Sequence, residues 1–404
     1  MVASPHGAPR TVAIVGATGS IGQQALDVVI RSAGRLRVVA LAAGGSWEPL
    51  CAAARRCGAE AVALADPRAA ARAREELAGS GITVLEGDDG VAQVAAWPSA
   101  QVTLAAPSGL AGLRPVLAAL ESGHDVALAN KESLVAGGRM VVRLAAERGA
   151  RLLPVDSEHA ALFQCLQGRH AQSVRHLWLT ASGGPFLRWP AAALEGATPA
   201  QALRHPTWQM GPRVTVDSAT LANKGLEVME AAWLFGTAPE AVRVLIHPQS
   251  VVHALVEYVD GAWISQCAPA DMRLPIAHAL GFPERLPGPP GVSLDLAALG
   301  HLDFEEPDSA RFPALDLAYA AAAAGGGAPT AFNAADEVAV ARFLRGEIGF
   351  LDIPRLLAHV LDHRTAVDDA RLEGILEADG QARRLASAWQ PALRIPARRE
   401  EAAP

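Results

Sequence analysis

TVAIVGATGSIG, residues 11–22, is the stretch that decides the fold. Residues 11–15 are an apolar run of strand length. Glycine then stands at 16, 19 and 22, and residues 21–30 repeat apolar side chains at helical spacing. A strand, a tight turn and a helix open a nucleotide-binding sheet. Gly16 makes the turn, Gly19 lets the backbone approach a pyrophosphate, and Gly22 lets the helix lie close on the strand. The first N–H groups of that helix then face the phosphates. A lone glycine pattern is weak, but here a strand precedes it and a helix follows.

The pattern continues outward. Residues 36–41, 61–64, 83–85, 102–104 and 126–128 read as strands and 69–77 as a helix. Their unbroken apolar character suits a sheet covered on both faces. This predicts a nucleotide-binding domain over 1–155. Residues 156–280 form a second domain holding the polar clusters. Strands are expected at 177–179 and 214–216, a helix over 220–235 after Asp217-Ser218, and a hairpin of 251–259 with 262–267 around Asp260-Gly261. Residues 281–306, rich in Pro and Gly, read as a linker. Residues 307–404 are helical, with segments at 314–324, 334–345, 353–360, 367–376 and 382–389. The fold class is α/β: a Rossmann-like N-terminal domain, an α+β catalytic domain and a small C-terminal helical bundle.

Bulk properties narrow the function. Half of the 404 residues are apolar, enough for more than one core. A formal charge of -7 argues against a nucleic-acid partner, and Arg398 and Arg399 read as a solvated tail. No apolar run reaches membrane-spanning length, and no secretory apolar region precedes the first strand. Cys51, Cys57, Cys165 and Cys267 lack zinc or redox spacing and read as reduced thiols. A cytoplasmic protein without membrane partners is expected.

Five clusters carry chemistry. Asp156-Ser157-Glu158-His159 follows an apolar segment. If it is extended, Asp156 and Glu158 point the same way, and a hard divalent cation such as Mg or Mn would relieve their repulsion. A solvated acid pair is the alternative on spacing alone. On the helix near 220, Asn223 and Glu227 share a face, and Lys224 lies three residues from Glu227. Ser218, Asn223 and Lys224 offer anion-binding groups, and Glu227 a third carboxylate. Ser182-Gly183-Gly184-Pro185-Phe186 reads as an oxyanion loop. The segment from His205 to Gly211, with Trp208 and Met210, reads as a water-excluding lid. Lys131, with Glu132 beside it, follows the strand 126–128, where ligands of open sheets bind. The second strand ends in Ala42-Ala43-Gly44-Gly45-Ser46 with no carboxylate, which leaves room for a 2′-phosphate and favours NADPH over NADH.

Taken in order, GATGSIG at 16–22, ALANKESLV at 127–135, LLPVDSEH at 152–159, SGGPF at 182–186, HPTWQMG at 205–211, VDSATLANKGLE at 216–227 and HPQSVVH at 247–253 resemble the 1-deoxy-D-xylulose 5-phosphate reductoisomerase family over nearly the whole chain. The resemblance implies a metal- and NADPH-dependent rearrangement and reduction of that phosphorylated sugar to 2-C-methyl-D-erythritol 4-phosphate, a non-mevalonate isoprenoid precursor. It implies Asp156, Glu158 and Glu227 as metal ligands. Ser182, Ser218, Asn223 and Lys224 would bind the phosphate, Ser157 and Glu158 the substrate backbone, and His205 and Trp208 would belong to the lid. Lys131 and His253 match further active-site positions. Thr18, Gly19, Ser20, Ile21, Gly44, Ser46, Asn130, Glu132, Met210 and Gly211 are the expected NADPH contacts. A homodimer is implied as well. The chain departs from the pattern at Gly45 and Ser46, where the family usually has Lys and Asn, at Ala270 in place of Pro, and at Asp336 in place of Asn. The competing readings are another dehydrogenase on a similar first domain and a non-catalytic nucleotide binder. A metal requirement separates the former; intact Lys131, Asp156, Glu158 and Glu227 speak against the latter.

Overall fold

The structure is a computed structural model and describes residues 8–391; Arg398 and Arg399 lie outside the described residues. Seven parallel strands form the first sheet: β1 (Arg10–Val15), β2 (Leu36–Ala43), β3 (Ala61–Leu64), β4 (Thr83–Glu86), β5 (Val102–Ala105), β6 (Asp125–Leu128) and β7 (Leu152–Pro154). Helices α1 (Ser20–Arg31), α2 (Trp47–Cys57), α3 (Pro67–Glu76), α4 (Gly87–Ala95), α5 (Leu113–Glu121) and α6 (Lys131–Arg148) make the crossovers. The spatial order β4-β3-β2-β1-β5-β6-β7 reverses between β1 and β5. Such a switch point opens a crevice beyond the strand ends. Gly16 sits in that crevice with φ +86°, and a Cβ there would lie 2.4 Å from the Ala106 carbonyl oxygen. A side chain at Gly22 would meet the Gly16 carbonyl at 2.3 Å, so both glycines are sterically required.

After β7 comes α7 (Ser157–Leu166), and then a second sheet in the order β11-β10-β8-β9. Its strands are β8 (Val174–Ala181), β9 (Val242–Ile246), β10 (Val252–Tyr258) and β11 (Trp263–Cys267). The expected hairpin is β10–β11, turned by Gly261 at φ +87°, with the Asp260 carboxylate accepting from the Ala262 N–H. Between β8 and β9 lie α8 (Pro199–Ala202), α9 (Pro212–Thr220) and α10 (Ala222–Phe235). Then follow α11 (Arg273–Gly281), α12 (Leu296–Leu299), α13 (Ala314–Ala324), α14 (Ala328–Leu344), α15 (Asp352–His363) and α16 (Leu372–Ala388). The first sheet buries apolar side chains on both faces. The second sheet and α10, α13, α14, α15 and α16 share one continuous core.

Several local expectations are corrected. Residues 214–216 are helical, inside α9, despite two valines and a threonine. Pro212 in the first turn presets helical geometry, and burial of Thr215 and Val216 outweighs their weak strand preference. The helix expected over 220–235 begins at Ala222, and Ser218 lies in the preceding helix. Leu221 breaks the two at φ +63°, a backbone cost of roughly 1–2 kcal/mol sustained by burial of its side chain. Residues 367–376 and 382–389 are not two helices but mostly one, α16, which Gly380 does not interrupt. The strands β7 and β9 were not foreseen. They are short, and pairing with β6 and β8 defines them.

Asp336 shows what the departure at that position does. Arg213, at the start of α9, donates to Glu132 of α6 (2.8 Å) and to Asn333 (2.8 Å) and Glu337 (3.0 Å) of α14. Arg383 of α16 donates to the other oxygen of Glu337. Asp217 and Asp336 face the same guanidinium at 3.5 and 3.6 Å, both almost completely buried. Burial and the facing carboxyl hold Asp217 well above its usual range, and burial pushes Asp336 up to about 6. A raised folded-state value means that the carboxyl folds without penalty below its ordinary value of 3.8. Stability is then lost as pH rises through about 6. Asp336→Asn keeps the shape and removes the charge. It is expected to stabilise the fold above that pH by about 1–3 kcal/mol. Unfolding curves of both proteins between pH 4 and 7 check this; parallel curves across that window would sink it.

Candidate active site

The carboxyl ends of β6 and β7 deliver the first two groups. Lys131 opens α6 directly after β6, and Asp156 precedes α7 directly after β7. Here the extended reading of 156–158 is corrected. Asp156 occupies the N-cap position of α7, and Ser157 and Glu158 lie in its first turn. The two carboxylates converge because a helix start wraps them together, not through strand alternation. Helix α10 faces them and supplies Asn223, Lys224 and Glu227 from its first two turns.

These groups form one network. The Lys131 ammonium donates to Asn223 Oδ1 (3.0 Å) and Glu227 Oε1 (3.1 Å), and contacts Asp156. Lys224 donates to Glu158 Oε1 (3.1 Å) and to Glu227 Oε2. Burial would lower both lysines, but the surrounding carboxylates more than offset it, so both stay protonated. Burial acts to raise Asp156, yet Lys131 and His159 hold it well below the usual range. Burial raises Glu158 to about 7, because Lys224 only partly compensates for Glu227 and Asp156. Three carboxylates thus face two ammonium groups. Ligand atoms of Asp156, Glu158 and Glu227 lie within 4.8 Å of one another. An all-oxygen trio with excess negative charge fits a hard divalent cation.

The phosphate-type groups gather beside this network. His205 Nδ1 accepts the backbone N–H groups of Trp208 (2.9 Å) and Thr207 (3.2 Å), so the proton lies on Nε2. Nε2 faces Ser182 Oγ at 2.9 Å and Ser218 Oγ at 3.2 Å. Burial lowers His205, which favours this neutral form. Gly184, at φ +68°, lets the 182–186 loop pack against α9, where a Cβ would meet the Ser218 carbonyl at 2.8 Å. Two hydroxyls and one imidazole N–H therefore converge. Lys224 reaches the carboxylates rather than these hydroxyls.

A cavity of about 220 Å³ joins the two clusters to the start of α1. Its wall holds Ser20, Ile21, Lys131, Asp156, Ser157, Glu158, Ser182, His205, Trp208, Met210, Gly211, Ser218, Asn223, Lys224 and Glu227. Other expected residues stand off that wall. Thr18 and Gly19 lie in the glycine turn, and Gly44 and Ser46 at the end of β2. Asn130 is buried and caps α6. Glu132 accepts from Gly109 N–H (3.0 Å), Asn130 and Arg213. His253 backs the lid, its ring 5.9 Å from that of Trp208, and Nε2 lies 3.2 Å from the Ala268 carbonyl. Arg55 pairs with Glu76, and the space beside Gly45 is bordered by Asp66. His159, Glu230 and Arg213 were missed as site-supporting residues. The signal for Glu230 was an acid three residues beyond Glu227 in the otherwise apolar second half of α10.

The glycine-loop sheet, the acid trio and the hydroxyl cradle in one cavity define a metal-dependent, nucleotide-linked oxidoreductase of an anionic substrate. Comparison with known proteins narrows the class. Residues 12–138 match the profile for 1-deoxy-D-xylulose 5-phosphate reductoisomerase, residues 152–235 that for its C-terminal domain, and residues 267–385 that for the DXP reductoisomerase C-terminal domain. The chain is 48% identical over 389 residues to the 1-deoxy-D-xylulose 5-phosphate reductoisomerase of Pseudomonas syringae pv. syringae, covering 94% of this chain and 98% of that one. It is 49% identical over 381 residues to that of Moorella thermoacetica, covering 94% and 98%. Among solved structures, the Zymomonas mobilis enzyme in complex with NADPH superposes with a TM-score of 0.88 at 44% identity, covering 94% and 98%. A DOX-P reductoisomerase with NADPH, fosmidomycin and magnesium superposes at 0.89 with 39% identity, covering 94% and 98%. The chain belongs to the 1-deoxy-D-xylulose 5-phosphate reductoisomerase family.

Proposed function

We propose that this chain isomerises 1-deoxy-D-xylulose 5-phosphate and reduces the product to 2-C-methyl-D-erythritol 4-phosphate, with NADPH and a divalent metal, Mg or Mn. The observation that carries the reading is the cavity in which the start of α1, the acid trio and the hydroxyl cradle meet. Isomerisation moves a carbon–carbon bond without a net redox change. Reduction then takes one hydride from NADPH and one proton.

Asp156, Glu158 and Glu227 are the residues that would hold the metal, which polarises the carbonyl and neighbouring hydroxyl oxygens of the substrate. Ser182, Ser218, Asn223 and Lys224, with His205, would bind the phosphate and so spend its binding energy on closing the lid. Ser157 and Glu158 would meet the carbon backbone. Lys131 places a fixed positive charge beside the reacting oxygens. Trp208 covers the cavity, with His253 behind it. Thr18, Gly19, Ser20 and Ile21 present the start of α1 to the pyrophosphate, in line with the absence of any side-chain cap on that helix. Gly44 and Ser46 would face the adenosine, and Asn130, Glu132, Met210 and Gly211 the nicotinamide end.

The proposed domains are 1–155 for nucleotide, 156–280 for metal and substrate, 281–306 as linker and 307–404 as helical bundle. The linker segment carries α12 and a bridge from Glu305 to Ile246. The expected homodimer would form through the second sheet. There Trp263, 47% exposed, packs on Trp178 with ring centroids 5.3 Å apart. Trp263→Asp is expected to shift the mass in light scattering from dimer to monomer; an unchanged mass rejects this face. Among the described residues no helix is long and apolar enough to cross a membrane. Cytoplasmic location, without nucleic-acid or membrane partners, completes the reading.

The test of function is loss of NADPH absorbance with the substrate and Mn or Mg, beside NADH and EDTA series. Metal-dependent oxidation supports it, and the NADPH-to-NADH ratio reads out Gly45 and Ser46. No oxidation by folded, metal-supplied protein overturns it.

A further inference from the structure

Glu230 lies on α10 one turn beyond Glu227, with no exposure to solvent. Neither of its carboxylate oxygens has a hydrogen-bond partner. Burying an uncompensated carboxylate is costly, so its surroundings must supply a reason for it. The group it faces is His159, also fully buried, with Nδ1 3.6 Å from Glu230 Oε2 and 3.8 Å from Asp156 Oδ1. The other ring nitrogen, Nε2, donates to the backbone carbonyl of Glu227 at 2.8 Å. One imidazole therefore touches the backbone of one proposed metal ligand and the carboxylate of another. Glu230 is the group behind it.

We infer that Glu230 is a positioning residue: by holding the His159 ring it fixes the Asp156 carboxylate and the Glu227 turn in the arrangement that binds the divalent metal. The inference rests on the proposed assignment of Asp156, Glu158 and Glu227 as ligands. The physical argument is geometric. With Nε2–H committed to the Glu227 carbonyl, the ring can rotate only by breaking that bond. Nδ1 lies between two carboxylates, 3.6 Å from Glu230 and 3.8 Å from Asp156, so Glu230 is one of the walls that fix where the ring sits beside Asp156. Without Glu230 the ring loses one of the two carboxylates flanking Nδ1, and Asp156 loses a neighbour held in a fixed place. Glu230 is not on the wall of the cavity that holds the acid trio, and its nearest polar contact is the His159 ring.

The same atoms admit a rival. Asp156, His159 and Glu230 have ligand atoms within 4.8 Å of one another and could themselves hold a second cation. Binding stoichiometry separates the two.

The experiment titrates the full-length chain with Mn(II) alone, followed by electron paramagnetic resonance of the free ion, for wild type, Glu227→Gln, Glu230→Gln and Glu230→Leu. NADPH affinity and circular dichroism are read in parallel. Expected are one Mn(II) per chain in wild type and its loss in Glu227→Gln. Glu230→Gln and Glu230→Leu should weaken Mn(II) binding by about 10- to 100-fold, Gln less than Leu, with NADPH affinity unchanged. Should the Leu variant fail to fold, the Gln variant, nearly isosteric, decides alone. Wild-type Mn(II) affinity in the Glu230 variants, with loss in Glu227→Gln, overturns the positioning role and leaves the ligand assignment standing. Normal binding in Glu227→Gln overturns the ligand assignment and this inference with it. Two Mn(II) in wild type, one of them lost in Glu230→Gln, overturns positioning in favour of a second cation site.

Discussion

Glu227→Gln is expected to lower metal-dependent kcat/KM by roughly 10³-fold or more while leaving the chain folded. Glu227 is 2% exposed, and its two oxygens are shared among Lys131, Lys224 and Asn223. Its charge is what lets two ammonium groups and a third cation coexist in one buried volume. The amide keeps the size and removes that charge. It also presents an N–H₂ to one of the two lysines. The loss should appear as a Mn(II) requirement shifted far upward, with kcat low even at saturation. Near-normal turnover at low Mn(II) would remove Glu227 from the ligand set.

Lys131→Met is the second large effect, and its signature differs. Its ammonium contacts Asp156 and lies 3.0 Å from Asn223 and 3.1 Å from Glu227. Removing it should cost about 10²- to 10³-fold in kcat, the usual scale for a fixed charge beside reacting oxygens. Mn(II) affinity should not fall, because a competing positive charge has left the same carboxylates. NADPH binding should be unaffected. The combination of low kcat with preserved metal and nucleotide affinity is what parallel Mn(II) and NADPH titrations would read. A variant that binds Mn(II) poorly would mean that Lys131 organises the carboxylates rather than acting on substrate.

Much of the site was legible because its chemistry is concentrated in short contiguous motifs. The glycines of 16–22 announce a tight turn, and a Cβ added at Gly16 or Gly22 would lie 2.4 or 2.3 Å from backbone oxygen. Asn223, Lys224 and Glu227 share a helix face, so their spacing survives any tertiary arrangement. Asp156 and Glu158 were paired correctly for a wrong reason, since a helix start and a strand can bring near neighbours equally close. Glu230 and His159 were missed because each looks ordinary alone. The partner of one lies 71 positions away from the other, and only folding brings them to 3.6 Å.

The sequence by itself determined the parallel nucleotide sheet, the clustered acids and the identity of nearly every polar group in the cavity, because local periodicity and residue type encode which side chains face inward and what chemistry they carry. Tertiary structure alone decided three things: the break at Leu221 that separates α10 from a helix α9 standing where a strand was expected, the Arg213 network that binds α9 to α6 and α14, and the burial of Glu230 behind His159. Each depends on contacts between residues far apart in the chain. The energy of a left-handed leucine or a buried carboxylate is set by what surrounds it, and no local pattern carries that information.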